Sequence, residues 1–185
     1  MNYQSDKSFN KENNLVLGEY EQCEFKNCDF NEFDLSSFSF IDCEFEDCNL
    51  SNAKLAGTKL QGVTFKNCKL LGLEFENTDD FLFGSHFDNC DLSHSSFYQK
   101  DLRKCTFKDS NLANVDFIES NLQKSVLTNC DLNLAQFDQT NLNQANLEMS
   151  YNINLNPKFN KIKGLKISRN ELEGLLSEYQ LKIIG

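Results

Sequence analysis

The chain has 185 residues, enough for one domain with a sizeable core. Its net charge of −10 argues against direct binding to nucleic acid or to anionic lipid. No run of about 18 apolar residues predicts a membrane span, and no basic stretch followed by an apolar one marks a signal peptide.

From Leu15 onward one pattern governs the chain. Every fifth residue is large and apolar: Leu15, Tyr20, Phe25, Phe30, Leu35 and so on to Phe75. The phase slips by two residues within "ENTDDFLFG" (Glu76–Gly84), and the expected phase resumes at Leu82, then Phe87, Leu92, Phe97 and on to Leu147. Period five suits neither a helix nor a flat strand, because the apolar mark would spiral around the one and alternate faces on the other. The chain must turn a corner in every unit.

The residues two before each mark read Cys23, Cys28, Phe33, Phe38, Cys43, Cys48, Ala53, Thr58, Val63, Cys68 and, later, Cys90, Ser95, Lys100, Cys105, Ser110. Most are small or apolar. Two residues is the strand period, so this position and the mark both point inward. A longer period sets the number of sides. "KNCDF" (26–30) is followed at steps of 20 by "EDCNL" and "KNCKL", then after 22 by "DNCDL", then again at 20 by "KDSNL" and "TNCDL". Twenty residues are four units, so each coil has four sides, and the step of 22 places a two-residue bulge near Asp79–Phe83 within one coil. Asn27, Asp47, Asn67, Asn89, Asp109 and Asn129 should form a ladder at one corner.

The expected fold is an all-β solenoid of about seven coils, with coils ~4.8 Å apart and a rod roughly 30–35 Å long. Its expected limits are an N-terminal tail or cap at 1–14, repeats at 15–152 and a C-terminal segment at 153–185. All eight cysteines (23, 28, 43, 48, 68, 90, 105, 130) occupy the inward position two before the mark. Buried small side chains are the simplest reading. A zinc site needs ligands that converge, and a stacked disulfide such as Cys28–Cys48 would hold its Cβ atoms wider than preferred. Eight cysteines without a secretory signal point to a reducing, cytoplasmic setting.

No phosphate-binding, dinucleotide, zinc-protease or nucleophile-elbow motif is present, and His86 and His94 read as surface residues. No enzyme activity, metal or cofactor is expected. The charge is uneven: residues 1–81 carry 16 acids and 7 bases, residues 82–147 carry 8 and 5, and residues 148–185 carry 4 and 6. Net −9 over the first 13 units is about one charge per ~1.7 Å of rod, near the value for duplex DNA. The outward carboxylates Asp29, Asp34, Asp42, Glu44, Glu46, Asp47, Glu74 and Glu76 are the candidate partner-binding residues.

After Leu147 the pattern fades. Ser168 and Glu171 predict a capping box, with a short helix over 169–179 and a brief strand at "LKIIG". Leu172, Leu175, Leu176 and Tyr179 fall at helical spacing. They would cap the open end, join a second copy, or do both.

The units "SNLAN", "TNLNQ" and "NLSNA" resemble the pentapeptide-repeat family, with its loose A(D/N)LXX consensus. That resemblance implies a right-handed quadrilateral β-helix over Leu15–Leu147. The tail "GLKISRNELEGLLSEYQLKIIG" is similar to the C-terminal end of Qnr-type and MfpA-type quinolone-resistance proteins. This second resemblance implies a homodimer formed through Leu172, Leu175, Leu176 and Tyr179, with Ile183–Gly185 as its last strand. It further implies a rod that imitates duplex DNA, binds DNA gyrase or topoisomerase IV and confers fluoroquinolone resistance. Gram-negative Qnr proteins project long loops where this chain has only its bulge. An interaction scaffold with an unrelated protein partner is the competing expectation.

Overall fold

A computed structural model describes residues 2–182. The chain winds into a parallel β-solenoid of about eight turns. Its strands are short, and each pairs in parallel with the residues one coil away. Phe25 lies beside Phe45, Phe45 beside Phe65, and Phe107 beside Leu127, all at an offset of 20. Across the slip the offset is 22, as Phe65 lies beside Phe87.

The four sides take their names from their inward residues. Side 1 carries Phe25, Phe45, Phe65, Phe87 and Phe107; side 2 carries Phe30, Leu50, Leu70, Leu92 and Leu112; side 3 carries Leu35, Leu55, Phe75, Phe97, Phe117 and Phe137; side 4 carries Tyr20, Phe40, Leu60, Leu102 and Leu122. All are buried. Within a side the rings stack face to face, with centroids 4.5 Å apart for Phe25–Phe45 and 4.4 Å for Phe75–Phe97. Between sides 1 and 3 they meet edge to face, as Phe87 and Phe97 do at 76°. Both arrangements suit the ring quadrupole. Each buried Phe or Leu contributes roughly 1.5–3 kcal/mol before ordering of the chain offsets it.

The corners explain the Asn and Asp content. The residue three before most marks has left-handed backbone, a region costly for most L-residues and easiest for Gly, Asn and Asp. Asn27, Asp47, Asn67, Asn89, Asp109 and Asn129 all have φ between 51° and 55°. They form the expected ladder: the Asn67 amide donates to Asp47 at 3.1 Å, Asn89 to Asn67 at 2.9 Å, and Asn129 to Asp109 at 2.7 Å.

Three expectations need correction. The repeats begin before Leu15: within 1–14, expected as a tail or cap, Asn2–Ser5 and Ser8–Asn10 are strands that pair with Gly18–Glu21 and Glu24–Lys26. They add a coil, which is why the count exceeds seven. The solenoid also runs past 152. Lys161 bridges to Asn141, and Lys166–Ile167 pairs with Asn146–Leu147. Ile162 and Ile167 take the inward places there, and a search for Phe and Leu alone passes over them. Finally, the second phase does not start at Leu82. Leu82 is 53 % exposed and Phe83 turns inward in its place, because the bulge places its corner at Leu82, where φ is 58°.

All eight cysteines are free and buried. They do more than fill space. Cys43 Sγ donates to the Tyr20 carbonyl, Cys48 to Phe25, Cys68 to Phe45 and Cys90 to Phe65, at 3.3–3.4 Å. Hydroxyls at the same inward position do likewise: Thr58 to Leu35, Ser95 to Leu70, Thr140 to Phe117 and Ser150 to Leu127, at 2.7–2.8 Å. These eight residues are donors that each close a carbonyl of the preceding coil, which is one physical reason why Cys, Ser and Thr share the inward position; Ser110 and Ser125 donate within their own coil instead.

Burial pushes the Cys43 and Cys105 thiols up to about 12, and the Cys28 and Cys130 thiols up to about 11. In the unfolded chain these thiols ionise near 9.0. Their neutral forms therefore stabilise the fold fully below pH 9, and that contribution is lost as pH rises toward 11–12. The melting temperature should fall progressively above pH 9, and a Cys43→Thr/Cys105→Thr variant should show a shallower fall. Equal slopes for the two proteins in a thermal scan against pH would contradict this. Thiol reagents at neutral pH should label few groups before unfolding and all eight after it.

Candidate partner-binding surface

Among the described residues no group of His, Cys, Asp or Glu is placed to hold a metal ion. Among the same residues no helix is long and apolar enough to cross a membrane. His86 is half-buried and shares a hydrogen bond with Thr106 Oγ1 at 2.9 Å, while His94 is exposed.

Because the chain turns a corner every five residues, carboxylates that are neighbours in sequence separate in space. Glu44 and Glu46 flank Phe45 on side 1, with Asp42 and Asp47 at the corners on either side. Glu44 pairs with Lys66 at 2.6 Å and Glu46 with Lys26 at 3.4 Å, so much of the charge on this side is compensated. Lys108 does the same for Asp88 at 3.6 Å. Asp29 lies on side 2, where its carboxylate accepts from the Asn31 amide and from Asn49 Nδ2. Asp34, Glu74 and Glu76 lie on side 3. The Ser36 hydroxyl and amide hold the Asp34 carboxyl below the usual carboxylate range. Glu74 accepts from Asn77 at 2.7 Å. Glu76 departs from the outward expectation: it is half-buried, and its Oε2 is enclosed without a hydrogen-bond partner.

The eight candidate carboxylates thus divide among three sides. Side 3 has the least compensation. Asp34, Lys54, Glu74, Ser96, Asp116 and Gln136 share one column, because the bridges Asp34↔Lys54, Glu74↔Ser96, Ser96↔Asp116 and Asp116↔Gln136 fix their register. Asp34, Glu74 and Asp116 recur at every second coil, about 9.5 Å apart. Asp138 lies on the same side, Glu119 at its corner, and Lys54 is the one base in the column. Asp116, Glu119 and Asp138 were missed because charge was summed along the sequence. Sorting residues by their place in the 20-residue coil, with 22 at the slip, would have found them.

At the C-terminal end, Arg169–Leu175 and Ser177–Tyr179 are 3₁₀ helices. The expected capping box does not form. Ser168 Oγ instead accepts from the Met149 amide at 3.0 Å, and Glu171 Oε2 from the Ile153 amide at 3.1 Å. Both side chains close groups left open at the end of the solenoid, a stronger demand than the helix's own first turn. Leu175 packs against the core. Leu172, Leu176 and Tyr179 are 45 %, 39 % and 51 % exposed. Lys158 pairs with Glu178 at 2.8 Å and lies over the Tyr179 ring. Leu181 and Lys182 form no strand, and Ile183–Gly185 lie outside the described residues.

Gly174 sets how closely this segment docks. Its carbonyl accepts from the Leu155 amide at 3.3 Å, and a Cβ there would overlap the Ile153 carbonyl. Gly174→Ala should detach the cap and cost about 1–3 kcal/mol. Hydrogen exchange should quicken at residues 153–155 and 169–179 and stay unchanged at the Phe45–Phe107 coils. Uniform protection in the variant would show that the docking tolerates a side chain.

A four-sided parallel coil of five-residue units defines a class of protein. The family profile for the pentapeptide repeat region matches residues 19–79 and 81–175, and the chain belongs to that family. Among solved structures it is similar to a trypsin-treated variant of QnrB1, a plasmid-mediated fluoroquinolone resistance protein. The match has 19 % identity and a TM-score of 0.68 over 99 % of this chain and 100 % of that one. Full-length QnrB1 matches at 19 % identity with a TM-score of 0.66, over 97 % and 100 %. No curated protein sequence matches the chain.

Proposed function

We propose that this chain is a non-enzymatic, DNA-imitating partner of a type II topoisomerase, DNA gyrase or topoisomerase IV, that acts in the cytoplasm and confers fluoroquinolone resistance. The observation that carries the reading is the column of carboxylates on side 3, with Lys54 as its one base, held at fixed spacing along the rod. The likeness to QnrB1 along the full length of both chains supports it through the fold. A topoisomerase groove evolved to hold duplex DNA is lined by cations. A rod whose charge pattern is set before encounter meets such a groove without ordering cost. Compensation on side 1 makes side 3 the contacting side, with Glu119 contributing from its corner, while Asp42 and Asp47 flank the opposite side.

Binding to purified gyrase or topoisomerase IV should be measurable at low ionic strength, weaken with salt and be competed by duplex DNA. Substituting Asp34, Glu74 and Asp116 by Asn or Gln should weaken it about tenfold or more. Substituting Glu44 and Glu46 should matter less, since exposed ion pairs contribute about 0–1 kcal/mol. Binding that ignores salt and all of these changes would defeat the mimicry mechanism.

The rod acts as a two-fold dimer joined through Leu172, Leu176 and Tyr179. Their exposure beyond the last coil supports this. Leu175 serves the fold of its own chain rather than the interface. Leu172→Asp/Leu176→Asp should give a monomer in light scattering with an intact solenoid by circular dichroism. A dimer that survives these changes would place the interface elsewhere.

A further inference from the structure

Along side 4 the charge changes sign from one end of the rod to the other. The coils of this side are marked in order by Tyr20, Phe40, Leu60, Phe83, Leu102, Leu122, Leu142 and Ile162. Near the N-terminal end Glu19 and Glu21 flank Tyr20, in register with Ser39 and Ile41 of the next coil. At the C-terminal end Lys161 and Lys163 flank Ile162, and Lys161 ends the column Asp101, Asn121, Asn141, Lys161. The corner between sides 4 and 1 repeats the change. The Asp42 carboxylate leans over the next coil into the space that Gly62 leaves, where a Cβ would overlap its Oδ1. Lys104 and Lys124 follow further along the same corner, both exposed. Among the described residues none of these three acids and four lysines has an ion-pair partner.

A two-fold axis that crosses the rod between the Phe83 and Leu102 coils matches these charges. It turns a second copy antiparallel and sets the Tyr20 coil against the Ile162 coil, Phe40 against Leu142 and Leu60 against Leu122. Each column then faces itself. Glu19 meets Lys161 of the second copy, Glu21 meets Lys163, and the Asp42 carboxylate, lying over the Leu60 coil, meets Lys124. Lys59 faces Asn121, so no lysine faces a lysine. Asp79 faces Asp101, whose charge Arg103 already neutralises at 2.5 Å. A parallel second copy would instead set every acid and every lysine against its own kind, a repulsive arrangement. Shape agrees with charge at the centre. The bulge on the Phe83 coil exposes Phe81 and Leu82, at 67 % and 53 %. Beside it a hollow of about 310 Å³ is lined by Leu82, Asp101, Arg103 and Lys104. The axis brings each copy's exposed pair to the other's hollow, where Arg103 and Lys104 offer cations to the Phe81 ring.

We propose that side 4 is a docking surface for a second, antiparallel copy of this chain, joined by the pairs Glu19–Lys161, Glu21–Lys163 and Asp42–Lys124, each made twice. A face ~34 Å long and ~10 Å wide buries about 350 Å² on each copy. That lies at the low end for specific interfaces, so the pair is weak and depends on protein concentration. Its charges set orientation and register more than affinity, and they make it sensitive to salt. The pair leaves side 3 open and stands apart from the topoisomerase reading. It also uses other residues than the tail. The two contacts together would extend the rods into an open chain, because their two-fold axes do not meet.

The test is sedimentation velocity on the full-length chain carrying Leu172→Asp/Leu176→Asp, over a wide range of protein concentration at low and at physiological salt. This parent should show a reversible association that weakens as salt rises. Lys161→Glu/Lys163→Glu should weaken it about tenfold or more, and so should Glu19→Lys/Glu21→Lys at the other end of the rod. All four changes in one chain restore the facing charges and should bring association back to within about threefold of the parent. Circular dichroism checks each fold. If one double variant unfolds, the other still decides, because either alone must break the pair. A parent that stays monomeric, an association indifferent to salt, or double variants that associate like the parent would overturn the proposal. So would a fourfold variant that associates no better than either double variant.

Discussion

Everything in this molecule depends on backbone pairing between residues one coil apart. Once Phe25 lies beside Phe45 and Phe45 beside Phe65, each chemical choice in one coil is repeated directly above itself. Rings stack on rings, corner amides bond to corner amides, and inward thiols and hydroxyls close the carbonyls of the coil before. The cross-section is too narrow for any other grammar. One large apolar side chain and one small donor per side fill it, and the corner must accept left-handed backbone. Five residues per side follow from those three demands, and composition follows from the five.

The same pairing governs the surface. A solenoid converts a linear charge sequence into columns, and two carboxylates two residues apart, such as Glu44 and Glu46, stand beside the columns of lysines from adjacent coils. Net charge per length of rod therefore overstates the field on any one side. Side 3, poor in lysine, keeps its charge, and side 1 does not. The bulge is the one place where strict repetition is broken. It is stabilised by replacing a small inward residue with Lys100, whose length suits the extra two residues.

The period, the four sides, the inward set, the corner ladder and the bulge were legible because each follows from a spacing that a single chain displays. Other features were not. Ile162 and Ile167 continue the inward column under residue types the rest of the repeat avoids, and the strands at Asn2–Ser5 and Ser8–Asn10 carry Phe9 as their sole clear mark. Ser168 and Glu171 had the letters of a capping box, yet the open solenoid end competed for both side chains. The candidate surface was harder still. Asp34 and Asp116 are far apart in sequence and share a side only because of the coil arithmetic, and the enclosure of Glu76 Oε2 follows from a local 3₁₀ turn that no period announces.

The coil-to-coil hydrogen bonds all point along the rod. A pull applied between the two ends therefore loads the coils in series, like links of a chain, and the weakest link sets the breaking force. Bending draws on the same bonds, because the coils on the outer side of the curve must separate. Under tension the rod would come apart by peeling from the terminal coil, which has a neighbour on one side alone, rather than by yielding at its centre.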